Sequence, residues 1–186
     1  MRQASVAITG ISPLSQSSFF TSKKDDKETY DEFEDRCWRE KMHVTDDGFV
    51  FIPPMAFKQA LDSAARYNPV KIVGRGNQTY AKKFVSGVIV TDGLVLQTKA
   101  KDVKPEWIMC NADGKRGSGS RVRRCFPIIP EWGGDVVYHV LDDSLLAKVF
   151  EETVKASGLF IGIGMHRPER GGYKGRFRVD GIKWGE

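Results

Sequence analysis

Two stretches of this chain gather cations around small, pliable residues. Residues 114–124 read Gly-Lys-Arg-Gly-Ser-Gly-Ser-Arg-Val-Arg-Arg, bringing Lys115, Arg116, Arg121, Arg123 and Arg124 together without an acid. Glycine and serine carry little bulk, so amides and guanidinium groups there can come close to phosphate oxygens. Residues 162–178 carry His166, Arg167, Arg170, Lys174, Arg176 and Arg178, opposed only by Glu169. Between them lie Gly164, Gly171, Gly172 and Gly175, which permit positive φ and close backbone approach. Tyr173 can stack on a base, and Phe177 can stack or join the core. The chemistry on offer is the gripping of a polyanionic backbone. The bland alternatives are a solvated loop for the first stretch and an ordinary glycine-rich hairpin for the second. No Gly-Lys-Ser/Thr follows at P-loop spacing, and Gly74-Arg75-Gly76 is a weaker echo best read as a turn.

Signs of bond-making chemistry are sparse. His43, His139 and His166 are isolated, and Cys37, Cys110 and Cys125 have no metal-ligand spacing, so no metal or cofactor is expected. An odd cysteine count argues for reduced thiols in a cytoplasmic protein. Ser15, Ser17 and Ser18 lie in no nucleophile elbow. Acids crowd residues 25–35 (Asp25, Asp26, Glu28, Asp31, Glu32, Glu34, Asp35), a pattern that reads first as a solvated face.

The elements that must carry these residues follow from the apolar pattern. The 186 residues suit one domain with an insertion. With 40% hydrophobic and 28% charged residues the chain can bury a core, and its net charge of +5 is a weak sign of an anionic partner. No apolar run spans a bilayer and no signal peptide is evident, so no membrane is expected as a partner. Residues 5–11 read as a strand, 15–47 as a largely exposed insertion with a helix near 30–39, and 49–52 as a short strand. Tyr30, Phe33 and Trp38 are the side chains with which that insertion could dock. A helix over 55–67 follows from Phe57, Ala60, Leu61, Ala64 and Ala65, with Lys58 in its first turn on the polar face beside amides that attract anions. Residues 70–100 predict strands, with apolar runs at 70–73, 84–90 and 94–96. Residues 101–134 predict loops and 135–141 a strand. A helix over 143–156, capped by Asp142, is closed by Gly158; strands at 159–163 and 177–182 complete the chain. Two β-α-β units in this order describe an α+β, ferredoxin-like antiparallel sheet with both helices on one face.

Three segments resemble the RAMP superfamily, the RRM-like subunits that build CRISPR effector complexes. Residues 8–14 (Ile-Thr-Gly-Ile-Ser-Pro-Leu) look like its opening strand and turn, 52–61 (Ile-Pro-Pro-Met-Ala-Phe-Lys-Gln-Ala-Leu) like its helix start, and 171–177 (Gly-Gly-Tyr-Lys-Gly-Arg-Phe) like its glycine-rich loop. The resemblance implies an RRM-like core, a guide-type RNA strand across the sheet face and helix start, and protomers stacked head to tail along it. It also implies an inserted thumb hairpin, for which 101–130 is the candidate. Some members cleave target RNA with an Asp in the loop after the first strand, where Asp25, Asp26 and Asp31 are the positional matches here.

The leading reading is a non-catalytic protein that holds single-stranded nucleic acid, RNA ahead of DNA, as an oligomer along the strand or within a nucleoprotein complex. Lys58, Lys115, Arg116, Arg121, Arg123, Arg124, His166, Arg167, Arg170, Lys174 and Arg176 would contact the backbone while Tyr173 stacks. The rivals are an Asp- or metal-dependent nuclease using the acidic insertion, and a protein that docks on a nucleoprotein complex as inhibitor or co-subunit.

Overall fold

The computed structural model describes residues 1–112 and 119–185. Its main sheet is built on β1 (Arg2–Gly10), whose Ala4, Val6 and Ile8 alternate inward while Gln3, Ser5, Ala7 and Thr9 face outward. On one side β1 pairs antiparallel with β8 (Gly133–Val140), Val6 opposite Val136 and Ala4 opposite Tyr138. On the other it pairs with β9 (Phe177–Gly185), with a bulge between Ala7 and Ile8. A two-residue edge strand, β4 (Val88–Ile89), completes the order β4-β8-β1-β9. Taking β1, β4, β8 and β9 as the four strands of a β-α-β-β-α-β chain, this is the antiparallel ferredoxin-like order. The expected fold class is the observed one.

Two helices cover the inward face. Helix α2 (Pro54–Tyr67) begins on proline, whose fixed φ suits a first turn, and buries Phe57, Ala60, Leu61, Ala64 and Ala65 at helical spacing. Helix α4 (Ala147–Ala156) buries Val149, Phe150 and Val154, and its Phe150 ring meets Tyr138 and Trp184 edge-on at 5.6 and 5.3 Å. The outward face of β1, β8 and β9 presents no Phe, Tyr or Trp, since Tyr138, Phe177 and Trp184 all point to the helices.

Several expected elements differ. The apolar run at 84–90, read as a strand, is mostly α3 (Ala81–Gly87), with only β4 extended. The run at 159–163 is likewise no strand. Beyond α4 the chain winds on through a π turn (Ser157–Ile161), so Gly158 does not close the helix, and reversal comes at Gly162 with φ 71°. Short apolar runs suit either state, and packing decides. Asp142 does not cap α4, which starts five residues later; its carboxylate instead accepts from the Ser144 amide at 2.9 Å.

Residues read as loop-rich form a long hairpin, β6 (Lys104–Asn111) and β7 (Arg121–Ile129), in register from Lys104 opposite Ile128 to Asn111 opposite Arg121. It joins the short β2 (Leu14–Ser15), while β3 (Phe49–Ile52) pairs with β5 (Leu94–Lys99). This hairpin is the segment the family resemblance offers as a thumb. No helix among the described residues is long and apolar enough to cross a membrane.

The acidic insertion is docked rather than merely solvated. Helix α1 (Tyr30–Cys37) opens with a capping box, the Glu32 amide donating to Thr29 and the Thr29 amide to the Glu32 carboxylate. Trp38 is buried as anticipated, whereas Tyr30 faces solvent. From α1, the buried Glu34 carboxylate accepts from the Cys125 amide at 2.9 Å, and Lys41 donates to the Cys125 carbonyl at 2.7 Å and to Glu34 at 2.5 Å. This ion pair thereby satisfies the exposed backbone edge of β7 in place of a neighbouring strand. Replacing Lys41 by Met leaves the buried Glu34 charge only the Cys125 amide and a 3.5 Å approach of Arg124, and we expect a loss of about 3 kcal/mol in urea unfolding. A Lys41→Met chain as stable as the parent would show that this pair does not secure the insertion.

Candidate nucleic-acid interface

The glycine-rich stretch is positioned by backbone hydrogen bonds to the turn that follows β1. Ile11 donates to the Arg176 carbonyl at 2.8 Å, Gly175 to Pro13 at 2.9 Å and Met165 to Ser15 at 2.8 Å, while the Ser12 hydroxyl accepts from the Arg176 amide at 2.9 Å. The loop also folds on itself, Ile163 donating to Gly175 and Lys174 to His166, each at 3.0 Å. The closeness expected between glycine backbone and phosphate is spent internally. A Cβ on Gly175 would collide with the Ile163 carbonyl, and one on Gly172 with that of His166.

This packing leaves two adjoining pockets that form the two ends of a groove along the loop. One end, about 430 Å³, lies between the start of α2 (Pro53, Ala56, Gln59) and Gly162–Arg167. The other, about 480 Å³, lies between that loop and the hairpin residues Ile108–Asn111 and Arg121. The two ends share Gly164, Met165 and Arg167. Two basic segments far apart in sequence therefore meet, contributing Arg121, His166, Arg167 and Arg170 to the hairpin-side end. No side chain caps α2, so the partial positive charge of its first turn faces the groove beside Pro53.

The other anticipated residues sit elsewhere. Lys58 is no exposed cation: it is 8% exposed, paired with Asp62 at 2.5 Å and donating to the carbonyls of Phe84 and Val85 at 3.0 and 3.1 Å. It closes the C-terminal end of α3, whose packing over α2 buries what a lone helix would expose. Lys174 is 1% exposed and pairs with Glu106 of β6, tying the loop to the hairpin base. Arg123 pairs with Asp31 at 3.0 Å and lies 4.9 Å from the Trp107 ring centre; Arg124 reaches Glu34 at 3.5 Å. Arg176 donates to the Leu159 carbonyl at 3.1 Å, and Tyr173 is 57% exposed beside the loop. Phe177 takes the core alternative, packed on Phe57 and Trp132. Lys115 and Arg116 lie outside the described residues.

Among the groove cations, Arg121 donates to the Met109 carbonyl at 3.0 Å and Arg167 to Glu169 at 2.9 Å. Arg170 is exposed and has no side-chain hydrogen-bond or ion-pair partner among the described residues. His166, at φ 58°, stands edge-on to Phe126 at 5.2 Å with Nε2 4.0 Å from Cys110 Sγ. Burial lowers its pKa and that of His43, which the sequence left isolated and the fold puts on the groove wall. Both rings are neutral at pH 7, so His166 is a wall and hydrogen-bonding group rather than a charge. Gln59 and Met165, within stretches the sequence singled out, also line the groove, as do Gln16, Ser17 and Met109, which no sequence motif marked.

Asp25, Asp26 and Asp31 do not line the groove, and no group of three or more metal-ligating His, Cys, Asp or Glu occurs among the described residues. All three cysteines are free, and burial pushes the Cys125 thiol up to about 11.

With this geometry in place, comparison with solved structures is informative. The chain superposes on one from the cryo-EM structure of type III-B Cmr-beta bound to cognate target RNA, with a TM-score of 0.54 and 13% identity over 98% of this chain. At this identity the likeness is one of fold. Cmr6 from Pyrococcus furiosus matches with a TM-score of 0.50 and 14% identity, covering 96% of this chain and 99% of that one. The chain spans 60% of the length of the Cmr-beta chain. No protein-family model and no curated protein matches the sequence.

The neutral histidines set a pH dependence. Unfolded, each takes up a proton near pH 6.5; folded, each resists it, so the unfolded state binds more protons and stability falls as pH drops below about 6.5. We expect a falling urea midpoint between about pH 7 and 5.5, and a shallower fall in His166→Asn, which tolerates the positive φ. Identical slopes would place His166 outside the titration.

Proposed function

We propose that this chain binds single-stranded nucleic acid, RNA ahead of DNA, along the groove between the α2 start, the glycine-rich loop and the β6–β7 hairpin. The observation that carries the reading is the convergence of Arg121, Arg167 and Arg170 on one channel whose cations are not all consumed by neighbouring acids. A guanidinium offers several fixed donors to phosphate oxygens, and the α2 terminus adds partial positive charge. The preference for RNA draws on the target RNA bound by the Cmr-beta neighbour. Tyr173, exposed beside the loop, supplies a stacking platform.

The outward sheet face takes a lesser part in this reading, because it lacks the aromatic rings that hold bases on an RRM-type sheet. Arg123 and Arg124 contribute field more than contact, being held by Asp31 and Glu34. Association with other subunits along the strand, as co-subunit or as repeated copies, accords with the Cmr-beta neighbour and belongs to the same proposal.

Fluorescence anisotropy with single-stranded RNA, single-stranded DNA and duplex DNA over a salt series tests it. Each phosphate contact on a single strand adds roughly 0.7 to the slope of log affinity against log salt. Arg121→Glu with Arg170→Glu should weaken RNA binding at least about tenfold and flatten the slope by more than about 1. Lys155→Glu, on the exposed side of α4, should leave both unchanged. Equal binding by parent and double variant would reject the groove as the nucleic-acid path.

A further inference from the structure

The α2 end of the groove differs chemically from the hairpin end. Apolar surface from Leu14, Ile52, Pro53 and Ile163 lines it beside the polar His43, Gln59 and the Arg167–Glu169 pair. A volume of about 430 Å³ falls within the roughly 300–1,000 Å³ of small-ligand pockets. Apolar surface of this kind can hold a flat ring.

We propose that this end is a nucleobase subsite which takes a guanine turned out of the bound strand and reads its Watson–Crick edge with Glu169. The inference rests on the reading of the groove as a single-strand path.

Glu169 is fixed in place before any ligand arrives. Nε and Nη2 of Arg167 both approach its Oε2 at 2.9 Å. Those bonds and the Arg167 charge keep its pKa below the usual carboxylate range even though partial burial opposes them, so it stays ionised and can only accept. An ionised carboxylate has room for about four hydrogen bonds over its two oxygens; Arg167 takes both of those on Oε2, which leaves Oε1 with two lone pairs for a ligand. The side chain is 30% exposed, enough to meet a ligand and sheltered enough for a hydrogen bond to discriminate.

Guanine places two donors side by side on its Watson–Crick edge, N1–H and the N2 amine, and a carboxylate accepts both. Adenine and cytosine set one amine beside a ring acceptor, and uracil flanks its single N–H with two carbonyls. Each of these aims a lone pair at the Glu169 charge, which repels it. Gln59, at the exposed rim, can meet O6 or N7 with its amide.

The test uses uridine oligonucleotides of about twelve residues with guanosine, inosine, adenosine or uridine at one central position. Guanosine should bind about tenfold tighter than uridine. Inosine, which lacks only the N2 amine, should fall between, and adenosine should match uridine. Glu169→Gln should erase the difference among the four. So should Ala56→Trp, which fills the subsite from the α2 side and keeps the Glu169 carboxylate. The inosine comparison needs no altered protein, so a variant that fails to fold does not block the test. Four equal affinities with a preserved salt slope would overturn the subsite and leave the groove reading standing. No binding by any of the four would overturn both.

Discussion

The groove exists because the turn after β1 and the glycine-rich loop before β9 are laced together through their backbones. Ile11, Ser12, Pro13 and Ser15 on one side meet Met165, Gly175 and Arg176 on the other, so the loop cannot lift away without leaving amides and carbonyls unpaired. Positive φ at Gly162, Gly164, Gly171 and Gly175 bends the chain back within a few residues. The outcome is a rigid wall carrying Arg167 and Arg170, facing the α2 start on one side and the hairpin on the other. Pre-organisation of this kind reduces the ordering cost of holding a flexible strand.

Charge is then apportioned by the insertion. Glu34 and Lys41 occupy the edge of β7 as a neighbouring strand would, and Asp31 pairs with Arg123. A net charge of +5 thus understates the local field, because acids quench the hairpin arginines on the insertion's side and leave those over the groove. Burial enforces the same economy on lysine. Lys58 and Lys174 serve as internal ties, one holding α3 and the other the hairpin base. The cations that remain for a ligand are arginines, whose planar fork suits bidentate phosphate contact.

The helix legible in the sequence was the one set by local periodicity, α2, through Phe57, Ala60, Leu61, Ala64 and Ala65 behind two prolines. Strands read at 5–11, 135–141 and 177–182 correspond to β1, β8 and β9 of the ferredoxin-like order. Apolar runs too short to show a period were misassigned: 84–90 is mostly helix and 159–163 a π turn, both decided by packing on α2 and the sheet. Of the basic residues, Arg121, Arg167 and Arg170 lie where a ligand can reach them. Lys58 and Lys174 do not, since their burial depends on α3 and on Glu106, partners remote in sequence. The joining of two basic segments into one channel is a tertiary event that composition can suggest but cannot place.

Photocrosslinking of 4-thiouridine RNA followed by peptide mass spectrometry tests most directly whether a strand follows this channel. The account predicts adducts on Met109, Cys110 or Arg121 of the hairpin and on Met165 to Tyr173 of the loop. Adducts confined to the outward sheet face, at Ser5, Val137 or His139, would contradict it.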